Sequence, residues 1–164
     1  MFELKYLIRT MTKSWLLGHD LSEHSNQAAH LAAKELEWQS GTLMLLHAYQ
    51  VPVTPLSFSG IHLETSYMHE AQLSEVLEKN SIEALDKIAA DLKKQFPKVT
   101  FQTWVKTGEA SDVILEMAEL HQVERIIVGS HCRKGLERWF VGSVAERVVR
   151  GSHASVLVVK HEEY

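Results

Sequence analysis

The sequence predicts a three-layer α/β/α domain of the doubly wound kind, a five-stranded parallel sheet between two layers of helices. Three observations carry that reading. Short apolar runs (Trp15-Leu16-Leu17, Leu43-Met44-Leu45-Leu46, Ile126-Ile127-Val128) read as buried strands, and Val156-Leu157-Val158-Val159 reads as a further strand with an apolar edge. The segments between them carry apolar residues at three- and four-residue spacing, the mark of an amphipathic helix. Strands and helices also alternate along the chain, the order that builds parallel pairs joined by right-handed crossovers.

Taken in order, Trp15-Leu16-Leu17-Gly18 is the first strand, and it opens into His19-Asp20-Leu21-Ser22-Glu23. Ser22 or Asp20 caps the next helix, whose apolar positions include Ala28, Leu31, Ala32 and Leu36. Ser40-Gly41 closes it, and residues 42–48 form the second strand. Residues 50–67, with Pro52, Pro55, Ser57, Ser59 and Gly60, read as a long loop of the kind that is functional or mobile. A helix over about 68–95 carries Leu77, Ala84, Leu85, Ile88, Ala89 and Leu92 on one face, and Pro97 stops it. Residues 99–105 make a third strand nearer an edge. Thr107-Gly108-Glu109 turns into a third helix marked by Val113, Ile114, Met117 and Ala118, and 156–159 is the fifth strand.

Composition narrows the function. The chain has 164 residues, 45% apolar and 23% charged, with 17 basic and 21 acidic residues giving a net charge of −4. That is a single globular domain without the basic surface of a nucleic-acid binder, so no nucleic-acid partner is expected. One cysteine allows no intrachain disulfide and fits a reducing compartment, so a cytoplasmic protein is expected. No run of about eighteen apolar residues spans a membrane, and MFELKYLIRTMTKS lacks a secretory signal. Residues 1–13 read as an N-terminal extension and 14–164 as the domain. Ten histidines are scattered without a His-x-x-x-His pair, so no metal site is expected. No nucleophile elbow, Walker lysine or nucleophile–base pair is visible, so no catalytic residue is expected either.

The stretch 125–150 holds the chemistry. A strand ending in Gly129 gives way to a polar loop with His131, Cys132, Arg133 and Lys134, and then to Gly142-Ser143. Behind them, Val141, Val144, Ala145, Val148 and Val149 repeat at helical spacing. The first amides of a helix lack intrahelical acceptors, and the helix dipole makes them favourable to an anion. Gly142 permits close approach, the Ser143 hydroxyl can donate, and Arg133 and Lys134 add positive charge. The same residues also suit a plain helix cap, and both readings stand on this chemistry alone.

Gly129-Ser130-His131-Cys132, nine residues, then Gly142-Ser143, followed by VAERVVRGSHASVLVV, resembles the universal stress protein pattern of Gly, two residues, Gly, nine residues, Gly-Ser/Thr. The likeness is specific in the C-terminal third and looser from about Trp15 to Lys160. It implies the adenine nucleotide alpha hydrolase-like fold with strand order 3-2-1-4-5, and ATP in the cleft where the order reverses. Mg2+ would enter only through the nucleotide. The implied contacts are Asp20 and Val51 at base and sugar, with Val128, Gly129, Ser130, Cys132, Arg133, Gly142, Ser143 and Val144 around the phosphates. The family also implies a homodimer through strand 156–159, whose apolar edge would otherwise invite pairing. Hydrolysis, if any, would be slow and incidental. Cys132 stands where the family has its second motif glycine. The alternative is therefore a stress protein of the same fold that binds no nucleotide and acts through protein contacts.

Overall fold

The computed structural model of the chain describes residues 13–51, 63–130 and 142–160. Within them the strands are β1 (Ser14–Gly18), β2 (Thr42–Tyr49), β3 (Thr100–Thr107), β4 (Arg125–Gly129) and β5 (Ser155–Val159). The helices are α1 (Glu23–Glu37), α2 (Leu63–Gln95), α3 (Ala110–His121) and α4 (Ser143–Gly151). All strand pairs are parallel, as the alternation of strands and helices predicts, and the order is β3-β2-β1-β4-β5, as the family resemblance implies.

Alternation along each strand explains the continuous apolar runs. Trp15 and Leu17 of β1, Leu43 and Leu45 of β2, and Ile127 of β4 point into one core with Ala29, Ala33 and Leu36 of α1 and Leu85 and Leu92 of α2. Leu16, Met44, Leu46, Ile126 and Val128 point the other way, against Val113, Ile114 and Met117 of α3 and Ala145 and Val148 of α4. A central strand thus has no wet face, and a polar residue on either side of it would be buried. At the amino end of the sheet, Arg125 lies over the Trp15 ring at 4.3 Å and pairs with Glu35 at 3.1 Å. The stacked ring shields one side of that cation.

Several boundaries differ from the sequence reading. α2 begins at Leu63, so the end of the expected 50–67 loop is helical; residues 52–62 of that loop lie outside the described residues. At 33 residues α2 is about 50 Å long, far longer than the eight-residue strands beneath it. From Ala71 to Asn80 it has no buried residue, because that part runs past the sheet. β3 spans Thr100–Thr107 and is an edge strand. Leu31 and Val149 carry the apolar spacing of their helices yet stay 42% and 50% exposed. The helix stripe is wider than the contact made by a sheet that curves away beneath it.

Gly41 joins α1 to β2 where the chain is most crowded. A Cβ there would stand 2.7 Å from the Lys13 carbonyl oxygen, which already accepts the Thr42 N–H, and 2.4 Å from Leu36 Cδ2. Gly41→Ala is expected to destabilise the fold by about 1–3 kcal/mol, read as a lower urea midpoint with an unchanged slope. An unchanged midpoint would show that this junction yields without cost.

Candidate functional site

β1 and β4 are neighbours, yet α1 packs on one face of the sheet and α4 on the other. Where such helices diverge, the carboxyl ends of the two strands border a crevice. Here that crevice has a volume of about 590 Å3. Its floor is Gly18, His19 and Asp20 after β1 and Val128, Gly129 and Ser130 after β4. Leu46 and Ala48 of β2, with Ala110 and Ile114 of α3, form an apolar wall. His24, Ser25 and Gln27 of α1 face Gly142, Ser143, Val144 and Ala145 of α4, and Val159 and Lys160 close the far end.

The β1–α1 turn is held by its own hydrogen bonds. The His19 N–H donates to the Leu46 carbonyl at 2.8 Å, and His47 Nδ1 meets the His19 carbonyl at 2.7 Å, so that nitrogen of His47 carries a proton. Leu21, in the left-handed region at φ 62°, donates its N–H to His19 Nδ1 at 3.0 Å. His19 Nδ1 is therefore an acceptor and the ring proton sits on Nε2. That Nε2 is buried beside Asn26 without a well-aligned partner. Asp20 Oδ1 accepts the Ser22 N–H at 3.0 Å and the hydroxyls of Ser22 and Ser25, each at 2.5 Å. Ser22 caps α1 by accepting the Ser25 N–H. Asp20 is thus held at the crevice by a short-range turn rather than serving as the cap itself.

The three helices that start near the crevice differ at their N-termini. Glu109 caps α3, accepting the N–H groups of Ser111 and Asp112 and the Ser111 hydroxyl. Those bonds, the Ser111 hydroxyl foremost, hold the Glu109 carboxyl below its ordinary range, and Arg147 of α4 adds to this at 3.5 Å. Gly108 before it has φ 141°, where a side chain would be strained. α4 begins after Gly142, which has no side chain to offer as a cap. Its first residues line the crevice, and among the described residues no carboxylate or hydroxyl caps it as the other two are capped. At Gly129, no described atom lies within 4 Å of where a Cβ would stand, so the lip of the crevice has room for a ligand group.

Seven residues singled out in the sequence therefore converge: Asp20, Val128, Gly129, Ser130, Gly142, Ser143 and Val144. Val51 does not line the crevice. β2 runs to Tyr49, and the residues at the level of the β1 end are Leu46, which pairs with Gly18, and Ala48. Cys132 and Arg133 lie outside the described residues. Sequence reasoning missed Leu46 and Ala48 of β2, His24, Ser25 and Gln27 of α1, Ala110 and Ile114 of α3, and Lys160. Only Lys160, directly after the fifth strand, had a signal that strand order could have exposed.

A parallel sheet in the order β3-β2-β1-β4-β5, with a crevice at its switch point beside a glycine-capped helix start, defines the doubly wound α/β class. The model of the universal stress protein family matches residues 11–160, and the chain belongs to that family. It is 34% identical over 143 residues to the universal stress protein MJ0531 of Methanocaldococcus jannaschii, covering 87% of this chain and 77% of that one. It resembles the solved structure of MJ0577, also of Methanocaldococcus jannaschii, with TM-score 0.68 and 26% identity over 94% of this chain and 99% of that one. A universal stress protein of Archaeoglobus fulgidus solved in complex with dAMP shares the fold at TM-score 0.57 and 17% identity, covering 90% of this chain and 98% of the other. Among the described residues no cluster of histidine, cysteine or carboxylate side chains could hold a metal ion. No described helix is long and apolar enough to cross a membrane.

Burial pushes the His19 imidazole below its ordinary 6.5, outweighing the opposing pull of Asp20 and the neighbouring Asn26 side chain; His47 pushes the same way as burial. The unfolded chain takes up this proton near pH 6.5 and the folded chain only at lower pH. Stability from neutral His19 is therefore full above 6.5 and is lost as pH falls below it. Melting temperature is expected to decline between pH 6.5 and about 5, above the range where carboxylates titrate. His19→Asn, which keeps an acceptor for the Leu21 N–H, is expected to flatten that decline. An equal slope in both proteins would remove His19 as its cause.

Proposed function

We propose that the switch-point crevice binds an adenine nucleotide, ATP being the form the motif favours, and that the protein acts as a regulator in stress response. The observation that carries this is the convergence of Asp20, Gly129, Ser130, Gly142 and Ser143 on one cavity bordered by the α4 N-terminus. A phosphate there would meet the first amides of α4, which no described side chain caps, and the positive end of a helix dipole. The apolar wall of Leu46, Ala48 and Ile114 suits a flat base, and the Asp20 carboxylate suits hydroxyl or amino donors of sugar or base. Universal stress proteins of the same fold have been solved with cAMP and with dAMP, which agrees with this reading.

Mg2+, on this reading, arrives with the nucleotide, and dedicated catalysis is no part of the proposal. A homodimer through β5 is also proposed, supported by the position of that strand at an edge of the sheet and by the half-exposed side chains of Val156–Val159. A cytoplasmic location follows from the single cysteine.

Ser143→Asp separates the helix from the ligand. A carboxylate at the first helical position favours α4 itself but repels a phosphate. The variant is expected to melt no lower than the parent while losing about tenfold or more in ATP affinity, a change of roughly 1.4 kcal/mol, by titration calorimetry. Retained affinity would place the phosphates elsewhere. Absence of binding by the parent at millimolar ATP would favour the nucleotide-free alternative, and Cys132→Gly would then show whether that side chain is the reason.

A further inference from the structure

The lining of the crevice is ordered along the edge of the sheet, and the order is that of the strands. The apolar wall stands over β2, the Asp20 carboxylate after β1, the glycine lip after β4, and Lys160 after β5. Adjacent strands are about 4.8 Å apart, so Lys160 leaves the sheet roughly 10 Å from the strand that carries Asp20. The start of α4 lies against β4 and β5. The Ser130 N–H donates to the Val159 carbonyl at 2.8 Å, which ties the backbone beside Lys160 to the lip. Lys160 is exposed, and among the described residues no carboxylate pairs with it. Of the described lining residues it alone carries a permanent positive charge; His19 is buried and neutral, and His24 lies across the crevice on α1.

We propose that Lys160 is a specificity-determining residue that makes the site favour nucleotides with more than one phosphate. The inference rests on the nucleotide reading above. A ligand apolar at one end and polyanionic at the other fits this sequence of groups in one direction. Reversed, it would bring phosphates against the Asp20 carboxylate and leave the base beside a lysine. In the favourable direction one phosphate meets the α4 amides. Further phosphates continue toward β5, where the ammonium supplies a flexible point charge. A monophosphate ends before reaching it. The site thus measures phosphate number through one side chain at the end of an edge strand.

The test is titration calorimetry of the full chain with ATP, AMP and adenosine, comparing the parent with Lys160→Gln and Lys160→Arg. Lys160→Gln is expected to weaken ATP about tenfold, the effect of one charge-assisted contact, and to leave AMP and adenosine within about twofold. Lys160→Arg keeps the charge and is expected to retain the ATP preference. The ATP affinity of the parent should also fall more steeply with salt than that of Lys160→Gln. Equal weakening of ATP and AMP by Lys160→Gln, or none at all, overturns the inference while leaving nucleotide binding intact. A parent that binds none of the three overturns the nucleotide reading, and this inference with it. An unchanged melting temperature for both variants confirms that binding and not folding is being read.

Discussion

β1 is hydrogen-bonded along both edges, to β2 and to β4, and its Trp15, Leu16 and Leu17 are buried on both faces. A strand held on four sides can release the chain only at its end, and at that end the helices beside it part company. α1 covers the face toward α2, and α4 covers the face toward α3. Backbone cannot fill the gap between them without leaving amides unpaired. The crevice is therefore a consequence of the strand order, and it would exist whatever side chains lined it.

What lines it decides its chemistry, and the two helix starts that flank it are treated oppositely. The β1–α1 turn consumes its own polar groups: Ser22 caps the helix, Asp20 gathers two hydroxyls and an amide, and neutral His19 accepts the Leu21 N–H. It is a preformed wall with one negative charge. The α4 start has a glycine in place of a cap, and that glycine is followed by Ser143. On the proposed reading, an anion completes what the sequence leaves out there. Glu109 links the two helices of that face by capping α3 and reaching Arg147 of α4. On the proposed reading, a pocket negative at β1 and positive at α4 and β5 also orients its ligand.

Much of this was legible in the sequence because parallel sheets write themselves as apolar runs and helices as spaced stripes. The apolar runs of β1, β2, β4 and β5 and the Gly142-Ser143 helix start stand where the pattern puts them, and the order 3-2-1-4-5 is the one the family resemblance implies. Register was not legible. Nothing in the one-dimensional pattern says that Leu46 lies level with Gly18, so the lining of the crevice by Leu46 and Ala48 could not be foreseen, whereas Val51, which the resemblance implied, lies beyond the end of β2. Nor does helical spacing say how far a sheet reaches beneath a helix, which is why Leu31 and Val149 fit the stripe and yet stay exposed. The role of His19 was invisible for another reason. Its importance lies in a backbone N–H two residues on, reached only because Leu21 adopts a left-handed conformation.

The central claim is that an adenine nucleotide sits in this crevice with its phosphates on the amides that open α4. Titrating ATP into isotope-labelled protein and following each backbone amide by NMR tests it directly. The account predicts the largest shifts at Ser143, Val144 and Ala145, with smaller ones at Gly129, Ser130 and Asp20, saturating together. Shifts confined to other surfaces, or none at millimolar nucleotide, would contradict it.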